Sequence, residues 1–254
     1  MSLEIEKLYN EGYCYYNDLF SYEFTRKLEE SSKSLISLFE KKSNLENYNL
    51  SLVNSDNSSD FAYQLAANSQ KVVMHDKRKL NTDNGMIDIF NPHLLKSESS
   101  ELFISFRKKI KEYCLSSIEE KLKKKYELGP TNIYQHYKTV NPRSAHYDNE
   151  ESFYKLFLFL SDVNTVNGSF FFYKDSHKQK IKKRIMNRVN KYILGKKDLE
   201  DINFVFNDKK KINLTGKIGT TVLTDVSGLH GCNPFEINNE NKRLVIVQRI
   251  SVKE

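Results

Sequence analysis

The sequence is poor in cysteine and has no long apolar run, and both absences limit what the protein can be. Its three cysteines, Cys14, Cys114 and Cys232, are scattered and form no Cys-x-x-Cys pair, which fits a reducing compartment better than a disulfide scaffold. No run of about 18 apolar residues occurs, so we expect no transmembrane helix. The segment Met1–Lys7 lacks the basic-then-apolar pattern of a signal peptide. We therefore expect a cytoplasmic protein with no membrane partner.

The usual nucleic-acid-binding motifs are also missing. The formal net charge is +7 and the pI is about 9.0, which favours an anionic partner in general terms. However, no RNP, zinc-finger or helix-turn-helix pattern accompanies this charge, and solvated lysines throughout the chain explain most of it. We expect no nucleic-acid partner. A non-catalytic basic binding protein remains the alternative to an enzyme.

Length and periodicity predict one α+β domain spanning residues 1–254. Hydrophobic residues make up 39% of the 254 residues, enough for a substantial core. Apolar residues recur at helical spacing in the first half, whereas period-two and fully apolar runs dominate after Gly129-Pro130. This order predicts helices first and then an antiparallel β barrel or sandwich. A basic, helix-prone insertion at about 178–211 interrupts the strands.

The local pattern gives a prediction for each segment. We expect an extended segment at 8–20, a polar loop at 44–60 and a hairpin turn at Asn167-Gly168. One helix is predicted to begin after Ser21, and a second is predicted to run over 97–126. The predicted strands are 131–138, 153–160, 169–173, 220–225 and 244–252.

Two histidines and one aspartate indicate a metal centre. His146 and Asp148 are separated by one residue, and on a β-strand such side chains point to the same face. His230 can complete the set from another strand. Two histidines and one carboxylate are the ligands that hold a non-haem Fe(II) and leave coordination positions open for other molecules.

Three further residues are candidates for binding a co-substrate. Arg243, on a predicted strand after His230, can hold a carboxylate through two parallel hydrogen bonds. Its neighbour Lys242 competes for this role but should point to the opposite face. Gln135 precedes the metal motif and can donate a hydrogen bond. Lys155 is the one charge in an apolar strand, so it either reaches out to solvent or meets a carboxylate in the site.

Several segments, in order, resemble the phytanoyl-CoA dioxygenase-like branch of the Fe(II)/2-oxoglutarate oxygenases. Tyr9–Ser21 looks like the first strand leading into a helix, and His146-Tyr147-Asp148 looks like the first metal motif. The segment 155–163, with Gly168 and Ser176-His177, is similar to the strand-loop-strand signature. Gly228–Gly231 resembles the turn that carries the distal histidine, and Arg243 follows it.

The resemblance implies a double-stranded β-helix, a jelly-roll or cupin-like barrel, with Fe(II) held by His146, Asp148 and His230. It also implies 2-oxoglutarate as co-substrate, with Arg243 at its distal carboxylate, and O2 as oxidant. The implied reaction is hydroxylation of a C–H bond in a small molecule as 2-oxoglutarate becomes succinate. Desaturation, epoxidation or cyclisation are alternatives with the same machinery. Because Asp148 is present, the resemblance favours hydroxylation over halogenation.

The sequence departs from the family pattern in two places. Cys232 stands where many relatives have a serine or threonine that helps to bind 2-oxoglutarate, and His230 and Arg243 are 13 positions apart, slightly more than is usual. The basic insertion at 178–211 has two interpretations, a lid over an anionic substrate or a solvated helix. The sequence predicts neither the substrate nor the oligomeric state.

Overall fold

The computed structural model describes residues 2–16, 18–41, 50–54, 61–65, 71–72, 86–95, 98–136, 142, 145–148, 153–178, 210–236 and 242–253. Within these segments the helices are α1 (Ser2–Glu11), α2 (Tyr22–Lys41), α3 (Glu98–Ile110) and α4 (Ser116–Leu122). A π-helical turn at Lys111–Leu115 joins α3 to α4, and short 3₁₀ turns lie at Pro92–Leu94 and Ser176–Lys178.

The strands follow mainly in the second half of the chain. They are β1 (Tyr13–Tyr16), β2 (Leu50–Asn54), β3 (Phe61–Leu65), β4 (Lys71–Val72), β5 (Met86–Phe90), β6 (Tyr126–His136), β7 (Tyr154–Phe159), β8 (Phe170–Tyr173), β9 (Lys211–Leu214), β10 (Thr221–Asp225), β11 (His230–Cys232) and β12 (Arg243–Val252).

Two antiparallel sheets face each other and form the barrel. The larger has six strands in the order β1-β10-β7-β12-β6-β5, and the smaller has the order β11-β8-β9. A further small sheet contains β2, β3 and β4. The pairing of β12 with both β6 and β7 places the last strand at the middle of the larger sheet. This α+β arrangement of facing antiparallel sheets matches the predicted barrel.

Alternating residues of the larger sheet form two separate cores. In β7, Leu156 and Leu158 pack with the helices, whereas Phe157 and Phe159 pack with side chains of the smaller sheet. Successive side chains on a strand point to opposite faces, so a strand covered on both sides must be apolar at nearly every position. The apolar run at 153–160 was predicted as a strand of this kind, and the structure confirms it.

The predicted helices are also present. The backbone N–H of Phe24 donates to Ser21 Oγ at 3.2 Å, which caps the start of α2. The helix predicted over 97–126 is observed as α3, the π-helical turn and α4. Its fully buried stripe of Phe103, Phe106 and Ile110 packs against the larger sheet. These helices cover the face of the sheet that is turned away from the smaller sheet.

Three local predictions need correction. The extended segment predicted at 8–20 is helical as far as Glu11, because Ile5 and Leu8, three positions apart, bury the same face of α1. The loop predicted at 44–60 contains β2, while residues 44–49 and 55–60 lie outside the described residues. Gly168 does occupy a turn with φ of 76°, but the strands before and after it, β7 and β8, belong to different sheets and form no hairpin.

Most of the basic insertion cannot be compared with its prediction, since residues 179–209 lie outside the described residues. In the part of the chain that the structure describes, no helix has the length and apolar character needed to cross a membrane.

Candidate metal centre

The backbones of His146 and His230 pair with each other and bring two distant parts of the chain together. The N–H of His146 donates to the carbonyl of His230 at 2.8 Å, and the N–H of His230 donates back at 3.0 Å. His230 begins β11, which is held in place by its pairing with β8. Asp148 is fixed by a backbone hydrogen bond to Val226 at 3.4 Å. Backbone hydrogen bonds therefore hold His146, Asp148 and His230 close to one another.

The side chains of His146, Asp148 and His230 converge on one point. One candidate ligand atom from each residue lies within 4.8 Å of the other two. His146 Nε2 is 3.4 Å from Asp148 Oδ1, and His230 Nε2 is 3.4 Å from Asp148 Oδ2. The structure thus brings together the three residues that the sequence predicted as metal ligands.

The hydrogen bonding of His230 prepares its Nε2 atom for a metal ion. Its Nδ1 lies 2.8 Å from the carbonyl oxygen of Gly228, which can only accept, so Nδ1 carries the hydrogen. The Nε2 lone pair then faces a carboxylate oxygen of Asp148, and this Nε2 is buried without a hydrogen-bond partner. Two electron-rich atoms at this distance repel unless a cation lies between them. The donor set therefore fits a metal ion.

The ionisation states also suit metal binding. Burial lowers the pKa of His230 to about 4, against the opposite influence of Asp148, so the imidazole is neutral near pH 7. Burial opposes ionisation of Asp148, but its contacts with His146 and with the ammonium of Lys155 outweigh this effect and hold the pKa of Asp148 well below its ordinary value. A neutral imidazole beside an ionised carboxylate is the form that ligates metal ions.

A cavity of about 250 Å³ opens beside the three residues. It lies between the two sheets, and its aromatic wall includes Phe157, Phe159 and Phe170. The ring of Phe170 stacks on His230 with centroids 5.2 Å apart. These rings make part of the cavity wall beside the three residues apolar. The cavity is large enough for a small organic anion beside the metal, although it is smaller than most drug-sized pockets.

Arg243 lies in the same cavity and is almost completely buried. Its Nη2 is 3.0–3.1 Å from the ring nitrogens of His136 and 3.7 Å from Sγ of Cys232. Its Nε is buried without a hydrogen-bond partner. By contrast, Lys242 is exposed to solvent. A buried guanidinium with unused donor capacity is a natural partner for a carboxylate.

The structure places the other two candidate residues on different faces of the larger sheet. Lys155 points into the cavity, where its ammonium contacts Asp148 Oδ2. The sequence left two alternatives for Lys155, reaching out to solvent or meeting a carboxylate in the site, and the structure shows the second. Gln135 lies in register with Ile87 and Leu244, which belong to the helix-facing core, and does not line the cavity. It therefore has no route to the co-substrate from this position.

Sequence reasoning missed two residues that line the cavity. His136 pairs directly with Arg243 across β6 and β12, and the sequence suggested no partner for it. Asp88, from β5, is buried and accepts a hydrogen bond from Asn132 Nδ2 at 2.9 Å. The available signal for Asp88 was its place between two isoleucines, since a carboxylate in an apolar strand requires a partner.

Sequence comparisons identify no relative: no protein-family model and no curated protein sequence matches the chain. Solved structures do match. HygX from Streptomyces hygroscopicus, with nickel and 2-oxoglutarate bound, is 13% identical over 99% of this chain and 87% of HygX, with a TM-score of 0.57. EctD from S. alaskensis, with bound Fe, is 13% identical over 99% of this chain and 76% of EctD, with a TM-score of 0.59.

SnoN, a non-heme alpha ketoglutarate dependent epimerase from nogalamycin biosynthesis, is 10% identical over 98% of this chain and 81% of SnoN, with a TM-score of 0.55. At these identities the likeness concerns the fold. It confirms the prediction of a double-stranded β-helix, and it extends over nearly the whole chain.

Proposed function

We propose that the protein is an Fe(II)- and 2-oxoglutarate-dependent dioxygenase that hydroxylates a C–H bond of a small molecule. The observation that carries the proposal is the convergence of His146, Asp148 and His230 within 4.8 Å, beside a cavity that also contains the buried Arg243. The fold supports it, because HygX and EctD were solved with a metal or 2-oxoglutarate in the same architecture. The non-catalytic alternative leaves this arrangement unexplained.

The three ligand residues would hold Fe(II) on one face. His230 offers a lone pair on Nε2 because its Nδ1–H is committed to Gly228, and Asp148 contributes negative charge. When bound, the iron and 2-oxoglutarate supply oxidation of the substrate by O2, with decarboxylation of 2-oxoglutarate to succinate. Because all three ligands belong to paired or hydrogen-bonded segments, the protein presents them without reorganisation.

Arg243 would bind the distal carboxylate of 2-oxoglutarate. Its position at the start of β12, opposite His136, fixes the guanidinium, and the ring of His136 accepts one of its hydrogen bonds. The unused Nε and the remaining N–H groups are available to the carboxylate. The phenylalanines in the cavity wall lower the local polarity, which would strengthen these charge-assisted hydrogen bonds.

The outcome of the oxidation depends on how the substrate is placed. SnoN is an epimerase with this fold, so the architecture supports results other than hydroxylation. Desaturation, epoxidation and cyclisation therefore stay as alternatives. HygX and EctD have also been solved with hygromycin B and with 5-hydroxyectoine, which supports a small-molecule substrate here. An anionic substrate and a cytoplasmic location remain predictions from the sequence.

The test is a titration without oxygen. Purified protein is mixed anaerobically with Fe(II) and 2-oxoglutarate, and the weak visible metal-to-ligand charge-transfer band is recorded. We expect the band in the wild type and its loss in Asp148→Ala, because removing a ligand should cost more than the roughly 10- to 100-fold lost with an outer-shell partner. Asp162→Ala, which removes an exposed carboxylate paired with Lys217, is the matched control and should keep the band.

A wild-type protein that binds neither Fe(II) nor 2-oxoglutarate at saturating concentrations would contradict the proposal. So would an equal band in Asp148→Ala, since the metal would then lie elsewhere.

A further inference from the structure

The charges around the cavity balance each other in the absence of a metal. Four of the described lining residues carry formal charges: Asp88 and Asp148 are acidic, and Lys155 and Arg243 are basic. These four formal charges sum to zero. A divalent metal adds two positive charges, and the two negative charges of a dicarboxylate co-substrate neutralise them. The metal and the dianion should thus stabilise each other in this poorly solvated space.

Lys155 lies at the point where a bound metal would change this balance of charges. Its ammonium contacts Oδ2 of Asp148, and the same oxygen lies 3.4 Å from Nε2 of His230. The Lys155 side chain is only 21% exposed. Its backbone is fixed at the second residue of β7, in register with Thr224 on one side and Arg249 on the other. The ammonium and a metal ion therefore compete for one carboxylate.

We propose that Lys155 is an exchangeable counter-ion: its ammonium neutralises Asp148 until a metal binds, and it then pairs with a carboxylate of the co-substrate. This inference rests on the proposed function, and it assigns to Lys155 a role in the order of binding. Without the dianion, the metal must displace the ammonium from Asp148 and leave it close to a divalent cation. With the dianion present, the ammonium gains a new partner in the same cavity.

The exchange makes the two binding events cooperative. Metal alone should bind weakly, and 2-oxoglutarate should strengthen it by more than direct chelation does, because it also accepts the displaced Lys155. Thermodynamic linkage requires the metal to strengthen 2-oxoglutarate binding by the same factor. Removing the charge at position 155 should therefore strengthen the binding of metal alone and weaken the coupling.

Nickel titration of four proteins tests the inference. Ni(II) affinity is measured calorimetrically, with and without saturating 2-oxoglutarate, for the wild type, Lys155→Met, Lys155→Arg and Lys217→Met. Lys217→Met is the matched control, because it removes an ammonium from the exposed pair with Asp162. Circular dichroism and thermal unfolding establish that each variant is folded.

We expect Lys155→Met to bind Ni(II) alone at least about tenfold more tightly than the wild type, since a close like charge has been removed. The gain in Ni(II) affinity from 2-oxoglutarate should be at least about tenfold smaller in Lys155→Met. Its metal-free melting temperature should fall, because Asp148 loses a partner, and Ni(II) should raise it by more than in the wild type. Lys155→Arg, which keeps the positive charge, should bind Ni(II) alone more weakly than Lys155→Met, and Lys217→Met should bind Ni(II) like the wild type.

Unchanged or weaker Ni(II) binding in a folded Lys155→Met protein would overturn the exchange. If Lys155→Met kept its Ni(II) affinity and lost only affinity for 2-oxoglutarate, Lys155 would be a simple co-substrate ligand, and the proposed function would stand. A wild type that binds neither Ni(II) nor 2-oxoglutarate would overturn the function together with the inference.

Discussion

The two faces of the six-stranded sheet are built from the same strands but differ in chemistry. On the helix side, Leu156, Leu158 and Ile246 are fully buried in an apolar core. On the cavity side, Lys155 and Arg243 come from the same two strands and project among the metal-centre residues. Because side chains alternate along a strand, one residue step separates a position that stabilises the fold from one that serves the site.

This contrast predicts that changes on the two faces have separable effects. Changes on the helix side should mainly alter the free energy of unfolding, and changes on the cavity side should mainly alter ligand binding.

The largest expected effect comes from Leu156→Ala on the helix side. Removal of a fully buried leucine side chain should lower the free energy of unfolding by about 2–5 kcal/mol, through lost burial and the cavity that remains. Chemical denaturation of both proteins measures the change. At a temperature where the variant is folded, its Ni(II) affinity should equal that of the wild type. A large loss of metal affinity in the folded variant would show that the two faces are not independent.

The next effect concerns Arg243→Gln on the cavity side. We expect the KM for 2-oxoglutarate to rise by about 10- to 100-fold, because hydrogen bonds to charged groups contribute about 1.5–3 kcal/mol. Steady-state measurement of succinate formation at varied 2-oxoglutarate concentration provides the value. The KM of Arg243→Lys should lie between those of the wild type and Arg243→Gln, since lysine keeps the charge but not the planar pair of donors. An unchanged KM in both variants would remove Arg243 from the co-substrate site.

A smaller effect should follow from the pH dependence of stability on the helix side. Burial, with a contribution from Arg107, lowers the pKa of His93 to about 4 in the folded protein. Between this value and the ordinary pKa of about 6.5, the unfolded chain binds a proton that the folded protein excludes. Stability from the neutral His93 is therefore complete above pH 6.5 or so and is lost as the pH falls towards 4.

The measurement compares denaturant unfolding of the wild type and His93→Gln across this pH range. The wild type should lose roughly 1–2 kcal/mol more than the variant, since one pKa unit corresponds to about 1.4 kcal/mol and partial exposure reduces the full effect. Parallel curves for the two proteins would show that His93 titrates normally.

The smallest effect is expected for Gln135→Leu. Gln135 shares the helix-facing side of β6 with Ile133, so its loss should change the KM for 2-oxoglutarate by less than about twofold. His136→Leu, one residue along the same strand, is the comparison and should raise that KM clearly, because the ring contacts Arg243. A larger effect for Gln135→Leu than for His136→Leu would reverse the assignment of faces on β6.

The site could be predicted in part because its strongest signal is local. His146 and Asp148 lie two positions apart, so strand alternation alone places them on one face. The phase of Gln135 with Ile133 was also recognisable, but which of the two faces meets the cavity depends on the pairing of β6 with β12. That register is a tertiary property, and a shift of one residue exchanges the faces. His136 was missed for this reason.

The fold shows the same division between local and long-range information. The two-sided core of β7 was predictable from its uninterrupted apolar run. The turn at Gly168 was predictable too, but a turn dipeptide does not reveal whether the chain pairs with the strand before it or crosses to another sheet. The helix at Leu8–Glu11 was hidden because its stabilising contacts come from the sheet and from α4 rather than from helix propensity.

The most direct test of the central claim is an anomalous-scattering map from crystals grown with Ni(II) and 2-oxoglutarate. We expect one strong nickel peak within bonding distance, about 2.0–2.2 Å, of Nε2 of His146, the Asp148 carboxylate and Nε2 of His230. 2-Oxoglutarate density should extend from the metal towards Arg243. A map with no peak between these three side chains, or with its main peak elsewhere, would contradict the account.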